Sequence, residues 1–234
     1  MSFIQIQELA PTGKLRVGIN FGNSVLANRD GNGNPSGIAA DLGKALAQRA
    51  GAPIEFVTYD AAGQMADGAK SGEWDVAFLA ADPARAEEIT FTPPYLQIDT
   101  TYLVLDGSPF QTTADVDRDG VRISLSDKSA YDLFLTRHLK HARLVRARGP
   151  SASVELFFRD SLDALAGIRP MLIDVARDHP GTRLLDGSFM AVQQAVGTPK
   201  GRRAAAQYLR EFVEDIKASG FLEQTIRNNG ILGV

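Results

Sequence analysis

Residues 54–79 read Ile54-Glu-Phe-Val-Thr-Tyr-Asp-Ala-Ala-Gly-Gln-Met-Ala-Asp-Gly-Ala-Lys-Ser-Gly-Glu-Trp-Asp-Val-Ala-Phe-Leu79. Ile54 to Tyr59 reads as a strand, Ala62 to Ser71 as a helix closed by Gly72, and Asp75 to Leu79 as a mostly apolar strand. Strand, helix and buried strand in immediate succession are the grammar of a parallel βαβ unit. Upstream, Leu15, Val17 and Ile19 alternate with Lys14, Arg16 and Gly18, the period of a strand with one face on a core. The turn-rich Asn28-Arg-Asp-Gly-Asn-Gly-Asn-Pro-Ser36 follows. Ile38, Leu42, Ala45, Leu46 and Arg49 then share one helical face, with Ser36 as the expected N-cap and Gly51 just past the end.

Downstream the same alternation begins again: strand from Val121, helix from Tyr131 to Leu139, strand Arg143 to Ala147, helix around Val154 to Phe158, strand Ala164 to Ile168. Thr101 to Leu105 and Phe189 to Val196 are extended segments that flank this second series and read as an out-and-back hinge. Arg203 to Lys217 sets Leu209, Phe212, Val213 and Ile216 on one face and stops at Gly220, an amphipathic helix expected to dock on the first half. The expected organisation is α/β with two lobes, residues 1–104 plus 193–234 and residues 105–192. Each is a mostly parallel sheet flanked by helices, joined by a two-strand hinge. No tandem repeat of solenoid or propeller period occurs.

Composition removes several function classes. The 234 residues are 44% hydrophobic and 23% charged, an ordinary globular balance. With 25 Lys+Arg against 28 Asp+Glu and a formal net charge of -3, a nucleic-acid partner has little electrostatic footing. The chain has no Cys, so disulfides, thiolate zinc sites and cysteine nucleophiles are excluded. No run approaches the roughly 18 apolar residues of a membrane span, and Met1 to Ala10 lacks the pattern of an export signal, so a water-soluble chain is expected. His138, His141 and His179 sit at no metal-ligand spacing, and Gly31-Asn-Gly33 is followed by no phosphate-binding motif, so neither metal nor cofactor is expected. Trp74 reads as core packing.

The clearest chemical constellation is Leu79-Ala-Ala-Asp-Pro-Ala-Arg-Ala-Glu-Glu-Ile-Thr-Phe-Thr-Pro-Pro-Tyr95. Asp82 as N-cap and Pro83 as first helical residue would open a short helix directly after a buried strand, where open α/β sheets place ligands. Arg85 would then lie in the first turn, where a cation opposes the helix dipole. A bidentate donor for a ligand carboxylate is one reason to have it there; a solvated arginine is the other reading.

These segments resemble the bacterial extracellular solute-binding family 3, the periplasmic substrate-binding proteins of polar amino-acid ABC transporters with the type II binding-protein fold. The lines that carry the resemblance are Lys14 to Asn20 (KLRVGIN), Gly37-Ile-Ala-Ala-Asp-Leu42, Ser71-Gly-Glu-Trp-Asp-Val-Ala-Phe78, Arg85 to Tyr95 and Ala218-Ser-Gly-Phe-Leu222. The resemblance implies a non-enzymatic binding protein that closes over a small polar or anionic solute, acts as a monomer in the periplasm and docks on a membrane permease. It also implies that Arg85 grips a ligand carboxylate, helped by hydroxyls and free amides in Ser124-Leu-Ser-Asp-Lys-Ser-Ala130, where Ser126, Lys128 and Ser129 are the candidates and helix capping is the competing role.

The departures from that pattern are specific. Ala80 stands where the family keeps a Ser or Thr, and Ile168 followed by Arg169 where it keeps an acid for the ligand ammonium. Asn20-Phe-Gly-Asn-Ser24 puts Asn23 near an expected aromatic, leaving Phe21 as the apolar wall. An ammonium buried without a counterion costs several kcal/mol, so anionic or neutral ligands are expected, unless Arg169 faces solvent and Asp82 or Asp174 supplies the negative charge. A cyclohexadienyl or arogenate dehydratase-like enzyme on the same scaffold is the alternative, which the missing acid opposes, and a stand-alone sensor or effector-binding module is a third reading.

Overall fold

The computed structural model describes residues 3–230, which gather into two compact units. One holds the chain up to Leu96 and again from Gln193; the other is Gln97–Val192. The chain begins with α1 (Phe3–Leu9), β1 (Leu15–Asn20), the short ribbon β2 (Asn28–Arg29) and β3 (Pro35–Ser36), α2 (Ile38–Ala50), β4 (Ile54–Tyr59), α3 (Ala62–Asp67), β5 (Val76–Ala80) and β6 (Ile89–Phe91). Strand β7 (Leu96–Leu105) leads into the second unit, with β8 (Arg122–Ser126), α4 (Ala130–His138), β9 (Arg143–Ala147), α5 (Pro150–Arg159), β10 (Ala164–Ile168), α6 (Arg169–Asp178) and β11 (Thr182–Leu184). Strand β12 (Ala191–Pro199) leads back, and α7 (Arg203–Ala218) and α8 (Phe221–Asn228) complete the first unit.

The sheet of the first unit is ordered β4-β1-β5-β12. β1 runs parallel to β4 and β5, while β12 returns antiparallel to β5 with Gln194 opposite Ala80, and also pairs β6. The second unit repeats the arrangement: β8 is parallel to β9 and β10, and β7 is antiparallel to β10 and β11. β7 pairs with β10 and β11 along Thr100–Leu105, so this stretch belongs to the second unit, whereas the sequence reading placed the boundary at 104–105.

Hydrophobic patterning explains the order of the layers. β5 is buried along its whole length, as a strand covered by helices on both faces must be. Its Ala77 and Leu79 join Met65, Trp74 and Ile89 in one cluster, and the Trp74 indole donates to the Met65 carbonyl at 2.7 Å, the expected core role. Just before β5, the fully buried carboxylate of Asp75 accepts from Arg16 Nε (2.9 Å), Arg16 Nη2 (2.7 Å), the Arg16 amide (3.1 Å) and Arg202 Nη1 (2.8 Å). α7 buries Leu209, Phe212, Val213 and Ile216 as its period requires. Its open N-terminal amides at Ala204 and Ala205 are taken by the Glu8 carboxylate of α1, at 2.7 and 3.1 Å.

Several local expectations are corrected. α2 is capped by Gly37, not Ser36: Gly37 has φ 100°, and a Cβ there would lie 2.8 Å from the Leu26 carbonyl oxygen, so only glycine fits. Ser36 instead bonds the Asn28 carbonyl across the ribbon. Arg49 is exposed at the end of α2 and pairs with Asp215. α3 stops at Asp67, and the chain turns through Gly72 while Glu73 accepts from the Tyr59 and Ser71 hydroxyls. Short β6 and β11 carry too few residues to show a period.

Candidate functional site

In the first unit, the candidates lie at the carboxyl ends of β1 and β5. Asp82 caps no helix. Its carboxylate accepts from the Ala84 amide and its carbonyl from the Ala86 amide, both at 2.9 Å, and the chain makes only a 3-10 turn, Arg85–Glu87, before β6. The return to β6 at Ile89 leaves too few residues for the helix that Asp82 and Pro83 predict. Arg85 is therefore not a solvated first-turn residue. It is 6% exposed, and its Nη1 runs back to donate to the Ala80 carbonyl at 2.9 Å. Burial lowers its pKa to about 10, against the opposing pull of Asp82 and Asp67. At neutral pH it is a charged guanidinium in a low-dielectric setting.

The β1 loop divides three ways. Asn20 turns its Oδ1 to the Gly22 amide at 3.0 Å, a local turn contact. Phe21 lies under the Arg29 guanidinium, 3.9 Å from its ring centroid, so that face of the expected apolar wall is covered by a cation. Asn23 is buried, its carbonyl accepts from the Leu26 and Ala27 amides, and its Oδ1 has no hydrogen-bond partner.

In the second unit, the predicted hydroxyl group is internal. Ser129 is the N-cap of α4 and accepts from the Asp132 amide at 3.0 Å, while Asp132 in turn accepts from the Lys128 amide and pairs with Arg146. Ser126 and Ser129 both hydrogen-bond the buried Tyr131, whose phenol is pushed up to about 12 by burial. Lys128 is exposed and takes a left-handed φ of 53° to fit this turn. Arg169 opens α6 and donates to the Gly187 carbonyl, so it braces a loop. Ile168 is buried at the end of β10, and Asp174 is ion-paired with Arg177 on a half-exposed face of α6.

The histidines are ordinary: His138 stacks on Phe134, His179 on Phe158, and His141 contacts Asp119. Among the described residues no group of acidic or histidine side chains could hold a metal ion. The sequence reading missed Gln194, a buried amide on β12 opposite Ala80 whose Oε1 has no partner. Its signal was a glutamine pair, Gln193-Gln194, inside a segment otherwise read as β-prone and apolar.

Solved structures with this fold include an arginine-binding protein mutant from T. maritima, with TM-score 0.81 and 19% identity over 96% of this chain and 98% of that one. An ancestral amino acid-binding protein described as a precursor of cyclohexadienyl dehydratase has TM-score 0.79 and 19% identity, over 95% and 98%. An amino-acid ABC transporter substrate-binding protein from Streptococcus pneumoniae, bound to L-arginine, has TM-score 0.78 and 18% identity, over 95% and 97%. No curated protein matches. The profile of one family covers residues 15–229, nearly the whole chain, and the protein belongs to it: the bacterial extracellular solute-binding proteins, family 3.

Proposed function

We propose that this solute-binding protein takes a small anionic or polar solute, with Arg85 as its anion anchor, and delivers it to the membrane permease of an ABC transporter. The observation that carries the reading is the buried guanidinium of Arg85 at the carboxyl end of β5, fixed in direction by the Ala80 carbonyl. A buried, oriented cation binds an anion more strongly than a solvated one, because its hydration has already been given up. The lowered pKa expresses the same cost. Burial imposes it against the opposing pull of Asp82 and Asp67.

Ser126, Ser129 and Arg169 take internal roles in this reading, so recognition falls chiefly on the first unit. The buried Ile168 at the end of β10 provides no acid for proton work there, which favours binding over the dehydratase alternative. The test is a thermal-shift screen of the intact chain against carboxylates, followed by calorimetry on Arg85→Met. A ligand at roughly 100 times its Kd adds about 2.7 kcal/mol of apparent stability. The variant should keep its fold and lose carboxylate affinity about a hundredfold, the loss expected for a charge-assisted pair. Unchanged affinity removes Arg85 from the site.

A further inference from the structure

Asn23 Oδ1 and Gln194 Oε1 are buried side-chain amide oxygens with no hydrogen-bond donor, on residues 8% and 4% exposed. Leaving a buried acceptor unpaired is costly, and native interiors rarely do so without a reason outside packing. Both residues lie where the first unit carries Arg85. Gln194 is opposite Ala80 in the antiparallel β12–β5 pair, and directly opposed residues project to the same face of a sheet. The carbonyl of that same Ala80 holds the Arg85 guanidinium. Asn23 follows three residues after Asn20, the last residue of β1, the strand on the other side of β5. One donor-seeking amide thus lies across the ladder from the strand end whose carbonyl holds the buried cation, and the other lies in the loop that leaves the strand on the opposite side of β5.

Such a set specifies a ligand by chemistry. Arg85 offers only donors and asks for a carboxylate; the two amide oxygens offer acceptors and ask for N–H or O–H groups. An ammonium would meet a like charge in Arg85, and the neighbouring carboxylates Asp82 and Asp67 already act on that arginine. A neutral donor avoids this conflict. We propose that Asn23 and Gln194 are the residues that discriminate among solutes, and that the solute is a small carboxylate bearing a neutral N–H or O–H donor, such as a 2-hydroxy acid or a carboxamide acid. This rests on Arg85 being the anion anchor. A site that hydrogen-bonds such a group rejects the analogue without it far more strongly than an apolar pocket rejects a missing methylene.

The experiment uses the intact protein and probe pairs that differ in one donor: L-malate against succinate, L-lactate against propionate, succinamate against monomethyl succinate. Calorimetry on the wild type should show at least one donor-bearing probe bound tenfold or more tightly than its partner. Gln194→Met, which keeps the volume and removes the amide, should bring that ratio to within threefold, and Asn23→Leu should reduce it likewise. Without ligand, Gln194→Met should melt at the wild-type temperature or above it, since no intramolecular hydrogen bond to Oε1 is lost. Equal affinity within every pair, or a ratio that survives both substitutions, overturns the proposal while leaving Arg85 as anchor. A Gln194→Met variant that melts ten degrees lower also overturns it, by showing the amide to be a structural bond. If no carboxylate binds, or if Arg85→Met binds them as the wild type does, the anchor reading falls and this inference with it.

Discussion

The carboxylate of Asp75 is the point at which the first unit is most exposed to a single change. Asp75→Asn keeps the size of the side chain but removes its charge and one of its two acceptor oxygens. In the native protein those oxygens take four N–H bonds, three from Arg16 and one from Arg202, and the residue is fully buried. In the variant an amide –NH2 faces guanidinium donors, and two cations lose their shared counterion. Both arginines are about one-fifth exposed, so water relieves only part of the loss. Breaking a buried pair by removing one partner costs about 3–5 kcal/mol. That is a large share of the 5–15 kcal/mol that holds an ordinary domain together. The probe is built in: Trp74, the only tryptophan, precedes Asp75 and is buried in the same unit. Its fluorescence during urea unfolding should show the midpoint falling by the equivalent of about 3–5 kcal/mol at unchanged slope. Replacing Arg16 and Arg202 by Met together with Asp75→Leu should recover much of the loss, because a whole buried ionic cluster is often no more stable than an apolar one. A loss below about 1 kcal/mol in Asp75→Asn would refute the assignment of this cluster as a stabilising centre.

Glu8→Ala strips the cap from two amides of α7 and should cost about 1 kcal/mol by the same fluorescence assay; no change would mean that water caps the helix equally well. Gly37→Ala should cost at least about 1–3 kcal/mol, since the added Cβ meets the Leu26 carbonyl oxygen, whereas Gly51→Ala has open space and should cost about 1 kcal/mol for its φ of 62° alone; equal effects would contradict the geometry. Backbone amides of Thr112 and Gln111 hold Asp115 below the ordinary carboxylate range, and at Asp117 burial pushes upward but amides of Ala142, Lys140 and His141 outweigh it. A depressed carboxylate stabilises the fold above its unfolded pKa and stops doing so as pH falls through its folded value, so amide-exchange protection at 111–118 and 140–142 should be full near neutral pH and fall below about pH 4. Protection that is flat down to about pH 3 would contradict this.

The elements legible in the sequence are those whose own residues decide them. β1 and α7 have a clear apolar period, β5 is an unbroken apolar run, and α4, α5 and β8 to β10 fall where turn residues bracket them. Other features depend on partners far along the chain. Nothing near Glu8 predicts that it caps a helix 196 residues away, nor does α6 announce that Arg169 donates to Gly187. The Asp82–Arg85 segment misled for a local reason: Asp-Pro begins helices, but here the strand that follows is too close. Arg85 stands out in the sequence as a candidate, while its burial does not, because burial depends on which elements cover it. Gln194 escaped because an amide in a strand is usually turned to solvent, and only the register with Ala80 shows it facing inward.

The order of elements along the chain also sets a timetable. During synthesis the second unit is continuous, 97–192, and all of its strands leave the ribosome before β12 does. The first unit has no such independence: one edge of β5 stays unpaired, and the Arg202 contact to Asp75 and the Glu8 cap on α7 wait, until residues 193–218 arrive. A nascent chain that has been made as far as Val192 is thus one finished body carrying one unfinished, sticky sheet. Such an intermediate is the form that a holding chaperone would meet, and it persists for as long as translation takes to deliver residues 193–218.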